Sequence, residues 1–584
     1  MTTSNVSSDG PEPPRWVVLS RAGDAVVAEL RDGRGMPESE VILGPDDVSE
    51  WVSDAETRWG PRWVWNDTTV WYPPLLAAGV RVARCDDLRL CHAILKDSTA
   101  VTDAPELRAA SAWERTSISQ GGAVGAPALF DLDVSSSHDD LPSTPSAVAA
   151  EFARQRAAVQ GSTDPGRLRL LLAAESAGAL IAEELRAAGL PWDVETHDEL
   201  LRAALGPRPA AGSPPARMEE LAGRVRDALG DPRASLDSHP KLLRALHRAG
   251  VPAQSTSRWE LAEFEHPVIE PLLEYKRMAR LYSANGWAWL DEWVHQGRFR
   301  PVYVPAGVVT GRWASSGGGA LQLPRQLRAA VRADEGWRLV IADVAQLEPR
   351  VLAAMSGDLA LADAARGRDL YAGVVERGAV TTRAEAKVAL LGAMYGATSG
   401  ESGRLLPRLR RSFPRAMAMV DEAARVGDGG GVVSTWLGRS AAAPSAEWRD
   451  VQARAGAPDA SELEESRARR SARDRGRFTR NFIVQGTAAE WALAWLADLR
   501  ARLAAMPIVA ETDAAPLSGP AFERRPHLAF FLHDEVIVHT PAALADQVAV
   551  AAREAAASAA RLLFGDFPLD FPLELRIAEA ADKA

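Results

Sequence analysis

Cysteine is almost absent from this sequence. Cys85 and Cys91 are the only two among 584 residues, which excludes a disulfide framework and a four-cysteine zinc site and fits a reducing cytoplasm. Long apolar runs are missing as well: no stretch of about 18 uninterrupted apolar residues occurs, so no membrane span is expected. Met1–Pro14 is polar and Pro-rich, without the basic start and apolar core of a secretory signal. Lysine is scarce. Only five of the 67 basic residues are lysine (Lys96, Lys241, Lys276, Lys387, Lys583), a bias that points to a high-G+C genome and makes any well-placed lysine conspicuous. What is present, 47% apolar and 25% charged residues, is the balance of a globular protein with three or four folding units.

A net charge of −11 argues at first against a polyanion partner. The distribution reverses that reading. Residues 301–500 carry 28 Lys and Arg against 22 Asp and Glu, whereas the rest carries 39 against 56. A basic segment inside an acidic chain is the asymmetry that suits nucleic acid.

Residues 1–13 read as disordered. From Arg15 to Leu95, β-like runs (Trp16–Leu19, Ala25–Leu30, Trp63–Trp65) alternate with helical patterns, predicting a small α/β domain. A polar loop follows at Ser135–Ser146, and helices are expected over 166–190, 197–205 and, as one long pattern, Pro267–Gln296. Residues 207–216 and 507–524 read as loops, 440–462 as irregular and 463–503 as helix. No internal repeat is found.

Four constellations carry chemistry. In Arg338-Leu-Val-Ile-Ala-Asp343-Val-Ala-Gln346-Leu-Glu348-Pro-Arg350 a buried strand ends in a carboxylate and a helix starts almost at once, with Pro349 tolerated in its first turn. The plain alternative is that Asp343 merely caps the helix. Apolar Leu528–Leu532 and Val536–Val538 flank His533-Asp534-Glu535, a hairpin whose tip exposes two carboxylates of the kind that oxygen-ligated divalent metals need; turns also favour Asp for backbone reasons. Together with Asp343, two carboxylates suffice for two magnesium ions about 3.5–4 Å apart in phosphoryl transfer. Thr382 and Glu385 form a capping box, after which Arg383, Lys387, Leu391 and Tyr395 recur every fourth residue on one helical face. Cations at a helix N-terminus oppose its dipole, so an anion is expected there; a solvated basic edge is the bland reading. Finally, Arg477, Asn481 and Gln485 share a helical face and are the donors that read phosphates and base edges, although any polar face has such residues.

Taken together, these segments resemble family A DNA polymerases, the bacterial DNA polymerase I group, from about residue 166 to the C-terminus. Asp343-Val-Ala-Gln346-Leu-Glu348-Pro-Arg350 is similar to that family's D-Y-S-Q-I-E-L-R motif. Arg383, Lys387, Tyr395 and Gly396 match R-x3-K-x7-Y-G, and His533-Asp534-Glu535 matches the third motif. Thr310-Gly311-Arg312, Leu321-Gln322-Leu-Pro324, Thr435-Trp-Leu-Gly438-Arg439 and 477–490 resemble the smaller family signatures. The chain resembles in particular the short "bifunctional 3′-5′ exonuclease/DNA polymerase" proteins of high-G+C bacteria.

The resemblance implies a multidomain α/β and α+β architecture: the polymerase right hand of palm, fingers and thumb, behind a degenerate ribonuclease H-like exonuclease domain. It places that domain at 14–165, connecting helices and thumb at 166–300, palm at 301–360 and 481–584, and fingers at 361–480. It leaves no room for a separate 5′-nuclease domain. It implies that Asp343 and Asp534 hold two Mg2+ ions (Mn2+ substituting), with the Val344 carbonyl as a further ligand. Arg383 and Lys387 bind the incoming deoxynucleoside triphosphate, Lys387 also donating a proton to pyrophosphate. Glu348 stands under the sugar with Gln346 nearby, Leu391 lies on the nucleotide-binding face and Tyr395 stacks near the template base. Arg312, Arg477, Asn481, Gln485 and His533 grip primer–template DNA; Glu535 and Tyr371 are neighbouring candidates without a role. A cytoplasmic, nucleoid-associated monomer follows from the same likeness.

Departures from the family pattern are as informative. Val344-Ala345 replaces Tyr-Ser, Pro349 a leucine, Leu391 the usual Phe or Tyr, Tyr371 a histidine and Glu490 an aspartate. The family's proofreading site needs D-x-E on its first strand, yet Trp16-Val-Val-Leu-Ser-Arg has none. Gln160-x3-Asp164 is a Tyr-less relic of the last exonuclease motif, and Asp131-Leu-Asp133 reads as a loop pair. Cys85, Cys91 and His92 read as core residues rather than metal ligands. The expectation is a polymerase whose exonuclease is inactive. The rivals are a bifunctional enzyme, a nuclease-led enzyme and a non-catalytic DNA-binding scaffold.

Overall fold

Strand Trp16–Ala22 buries Val17, Val18 and Leu19 in succession because it is the middle of a five-stranded sheet covered on both faces. Val17 and Leu19 pack with Trp63, Trp65 and Phe522 on one side. Val18 packs with Val64, Trp113 and Phe152 on the other. The chain is seen here in a computed structural model that describes residues 13–114, 141–210, 212–316, 319, 323–396 and 400–582. The expected disorder of 1–13 (Pro13 apart), the Asp131-Leu-Asp133 pair, the Ser135–Ser146 loop up to residue 140 and Leu321-Gln322 lie outside these residues.

The strands of this first sheet run in the order Pro37–Leu43, Ala25–Arg31, Trp16–Ala22, Arg62–Trp65, Cys85–Asp87. The first three form an antiparallel meander, and the last two lie parallel to Trp16–Ala22. Helices Val48–Trp59 and Thr68–Ala77 make the crossings that parallel neighbours require. The polar residues of this domain serve the fold. Asp67 and Asp87 cap the helices Thr68–Ala77 and Leu88–Asp97, Asp67 also pairs with Arg89 at 2.9 Å, and Asp164 caps Pro165–Ala188. Cys85 and Cys91 are buried free thiols, while His92 turns to Glu151 at 2.8 Å, so the three share no ligand site.

Two compact units make up the chain. The larger comprises 1–189, 302–317 and 335–578. Its second sheet is four-stranded and antiparallel, in the order His527–Leu532, Glu535–Pro541, Trp337–Val344, Leu573–Ala578. The 43-residue helix Glu462–Ala504, started by a Ser461/Glu464 capping box, packs on this sheet and on helices Pro414–Asp428 and Pro165–Ala188. Near its end Arg500 is buried, donating to Glu184 (2.7 Å) and to the carbonyls of Val82 and Ala83, which joins the long helix to the first domain. Glu184 is a half of that pair held down to about 2: burial opposes ionisation, but Arg500 and Arg81 overcome it.

The smaller unit, 190–301 with 318–334 and 579–584, is mainly helical, with a small sheet of Leu190–Pro191, Arg298–Phe299 and Val294–His295, around an aromatic cluster of Trp192, Trp289 and Phe299. The long helix expected over 267–296 is two helices, Ile269–Asn285 and Trp287–Trp293. They break at Gly286, whose backbone is extended and whose absent Cβ would stand 2.3 Å from the Tyr282 carbonyl. The region 440–462 is likewise not wholly irregular: Ser445 caps a helix over Ala446–Ala455, a signal masked in the sequence by Pro444 before it and Gly456 and Pro458 after it. Among the described residues no helix is long and apolar enough to cross a membrane.

Candidate active site

The apolar run ending at Asp343 is the strand Trp337–Val344, paired on both sides. That pairing sets Asp343 opposite Glu535 on one neighbour and Glu574 on the other. The chain then turns through Gln346, a non-glycine residue at φ 51, into helix Leu347–Ser356 with Pro349 third. Gln346, not Asp343, occupies the N-cap, so helix capping does not account for Asp343. Arg350 on that helix is fully buried and donates to the carbonyls of Ala345, Ala365, Arg368 and Asp570, which pins the turn.

The hairpin differs from expectation in one respect. Glu535 is not at an exposed tip but is the first, buried residue of strand Glu535–Pro541. The tip is His533-Asp534 alone. His533 adopts φ 56, the Asp534 amide donates to Leu532 O (2.7 Å), and Val344 N donates to Asp534 O (2.9 Å). Strand alternation explains the miss: the ladder continues one residue further than the apolar pattern.

Asp343, Val344, His533 and Asp534 line one cavity of about 400 Å³. Burial raises the Asp534 carboxyl above its ordinary value, with Arg312 countering, and burial lowers His533 to about 4, so its ring is neutral at pH 7. Arg312, Gln346 and Glu348 line the same cavity. Glu348 accepts from both Arg312 and the Tyr395 hydroxyl. Burial, then Glu348, pushes the Tyr395 hydroxyl up, and burial with Glu348 pushes Tyr371 up to about 12. Gln346 is fixed by donating to Asp369 (3.1 Å) and accepting from Arg350 (3.3 Å).

The predicted capping box of Thr382 and Glu385 starts helix Arg383–Tyr395. Lys387, Leu391 and Tyr395 open from it into the cavity together with Tyr371. Arg383 stands outside: its guanidinium donates to Asp369 (2.8 Å) and lies 5.5 Å from the Tyr371 ring centroid. Arg477, Asn481 and Gln485 also lie outside the cavity lining. Arg477 pairs with Asp474, Gln485 accepts from Thr310 (2.9 Å), and Asn481 buries its Oδ1 with no hydrogen-bond partner. The long helix instead lines the cavity with Ala488, Ala489, Ala492 and Leu493. Its close approach depends on Gly486, where a Cβ would stand 2.4 Å from Thr435 and 3.1 Å from the Thr310 carbonyl.

Sequence reasoning missed Glu574 in the lining and Asp369 as the shared anchor of Gln346 and Arg383. Glu574 sits in an ordinary alternating strand, and only sheet register reveals it. Among the described residues no group of three or more His, Cys, Asp or Glu is arranged around a metal position. Asp343 and Asp534 both line this cavity, as does Val344, and carboxylate oxygens are the donors that suit magnesium, because that ion keeps water and takes phosphate oxygens.

The profile of DNA polymerase family A matches residues 216–582. This is well over half of the chain, and the chain belongs to that family. "DNA polymerase I, thermostable" of Thermus aquaticus is 26% identical over 440 residues, 70% of this chain and 44% of the relative. "DNA polymerase I" of Chloroflexus aurantiacus is 30% identical over 349 residues, covering 55% and 33%. The chain thus spans under half the length of these curated relatives. In fold it is similar to the solved POL domain of Pol1 from M. smegmatis, a complex with DNA primer-template and dNTP, with a TM-score of 0.65, 18% identity and coverage of 97% and 95%.

Proposed function

We propose that this protein is a template-directed DNA polymerase that adds deoxynucleotides to a primer 3′ end. The observation that carries the reading is the convergence of Asp343, Asp534 and Lys387 on one cavity from three separate elements. The relatives named above are DNA polymerases I, and the solved neighbour holds primer-template and dNTP. On this reading 301–360 and 481–584 are palm, 361–480 fingers and 166–300 connecting helices and thumb.

Asp343 and Asp534, with the Val344 carbonyl, hold two magnesium ions, for which manganese substitutes. When bound, such a pair supplies charge neutralisation and a more acidic primer hydroxyl. Lys387 points its ammonium at the triphosphate and is placed to give a proton to the leaving pyrophosphate. Arg383 reaches the same phosphates once it leaves Asp369. Glu348 bounds the sugar, Leu391 and Tyr395 form the apolar wall against sugar and base, and Gln346 steadies the floor. Arg312, His533, Gln485, Asn481 and Arg477 hold primer and template, as a monomer at the nucleoid.

The N-terminal domain is, in this reading, a ribonuclease H-like fold without nuclease activity. Its 3-2-1-4-5 strand order supports the fold, and its first strand supports the loss of activity. Val17 and Leu19 fill the core where a D-x-E pair is needed, and Asp67, Asp87 and Asp164 are engaged as caps.

Primer extension with magnesium, beside degradation of single-stranded DNA, tests both halves using wild type and Asp534→Ala. Extension lost in the variant and no degradation in either is the expected pair. Extension by the variant overturns the polymerase site, and degradation that survives in it overturns the silent nuclease.

A further inference from the structure

Thr435-Trp436-Leu437-Gly438-Arg439 is held by buried contacts from two directions. The long helix fixes one side: Trp436 N donates to Thr487 Oγ (3.0 Å) and Leu437 N to Glu490 (3.0 Å). The other side is fixed by the N-terminal part of the same compact unit. Ser98 Oγ donates to the Gly438 carbonyl (2.8 Å), Thr99 N donates to Ser440 Oγ (2.9 Å), and Leu168 closes on Gly438, where a Cβ would stand 3.2 Å from its methyl. Arg439 donates to Glu175 of helix Pro165–Ala188, and Glu175 is fully buried.

This clamp reaches the cavity through one glycine. Gly311 has φ 85, and a Cβ on it would lie 2.6 Å from Arg439 Nε, so the guanidinium lies flush beneath the turn. The turn is closed by Gly311 N donating to Val308 O (2.8 Å) and Val308 N donating to Arg312 O (3.1 Å). Its next residue, Arg312, lines the cavity and holds Glu348. We infer that Glu175, with Ser98 and Thr99 in support, positions Arg312 for primer–template through Arg439, so that helix Pro165–Ala188 and the Ser98-Thr99 segment together work as a brace of the polymerase site. This rests on the polymerase reading for Arg312.

The physical reason is that a buried guanidinium has few places to go. With its carboxylate in place, Arg439 is pinned in one rotamer; without it, an uncompensated buried charge must seek solvent, and the glycine turn above it loses its floor. Long-range positioning of this kind is measured as a coupling, not as a contact.

The test is a double-mutant cycle in the full chain: wild type, Glu175→Gln, Arg439→Met and the pair, read by steady-state primer extension and by fluorescence anisotropy with a labelled primer–template duplex. Glu175→Gln is expected to raise KM and Kd for the duplex by roughly 3- to 30-fold with kcat within about twofold, and to add nothing in the Arg439→Met background. Additive losses, or unchanged KM and Kd per folded molecule, overturn the inference, since a merely structural Glu175 changes only the urea midpoint. Should Glu175→Gln not fold, Ser98→Ala removes a single hydroxyl and is read the same way. An increase in duplex KM of about twofold or more supports the brace, and no change overturns it. Failure of the polymerase reading is visible separately in the wild type. If the wild type binds duplex without extending it, anisotropy alone decides the brace; if it binds no duplex, both readings fall.

Discussion

The amide of Val344 donates to the carbonyl of Asp534 at 2.9 Å, one step beyond the last paired residues Asp343 and Glu535. The strand ladder, carried one step further by this backbone hydrogen bond, therefore sets the spacing of two carboxylate-bearing residues that lie 191 positions apart in sequence. Neither aspartate side chain needs to find the other, because ladder geometry does it. The positive φ of His533 follows from the same constraint: the hairpin must turn within two residues to leave Asp534 beside the end of the neighbouring strand.

Asp343→Ala and Asp534→Ala should each abolish nucleotide addition while duplex binding stays within a few-fold of wild type, because in the proposed reading each removes a metal ligand rather than a DNA contact. Single-turnover extension and anisotropy check this. Near-normal extension by either variant would sink the metal assignment.

Lys387→Ala should slow extension by roughly 10²-fold, the loss typical of one preorganised electrostatic donor. Leu391→Tyr should instead alter discrimination among sugar-modified nucleotides with a smaller effect on the normal rate, since Leu391 offers only apolar surface to the cavity. Extension with deoxy- and dideoxynucleotides separates the two effects; a dead Leu391→Tyr enzyme with unaltered selectivity is the contrary result.

Glu490 gives a pH prediction. Burial raises its carboxyl from 4.5 to about 7, against the opposing bonds from Thr435 and Leu437. A raised native value means that its stabilising contribution is complete below 4.5 and fades as pH climbs through about 7. Glu490→Gln keeps the shape without the charge, its oxygen accepting from Leu437 N while its amide NH2 donates to the Thr435 hydroxyl, and should therefore stabilise the protein at pH 8 by roughly 2–3 kcal/mol and make little difference at pH 4.5. Urea titrations at the two pH values measure it. An equal effect at both would refute the shift.

Arg500→Leu should destabilise the protein by about 3–5 kcal/mol, because Glu184 is left buried without its main partner. The double variant Arg500→Leu/Glu184→Leu should recover part of that loss. Thermal melts of wild type, Arg500→Leu, Glu184→Leu and the double variant read the difference, and a fully additive pair of losses is the outcome that counts against the coupling.

Much of the site was written in local sequence. The strand ending at Asp343, the Thr382/Glu385 capping box and the four-residue spacing of Lys387, Leu391 and Tyr395 all depend on neighbours within a few residues, and periodicity reports such neighbours directly. The missing D-x-E was equally plain, since an absent carboxylate needs no fold to be noticed. Tertiary structure decided the rest. The buried place of Glu535, the arrival of Glu574 beside Asp343, the diversion of Arg383 to Asp369 and the packing of Arg439 under Gly311 each join residues distant in the chain. Sheet register and the close approach of helices fix such pairs, and both are set by how complementary surfaces pack, which no pattern within one segment encodes.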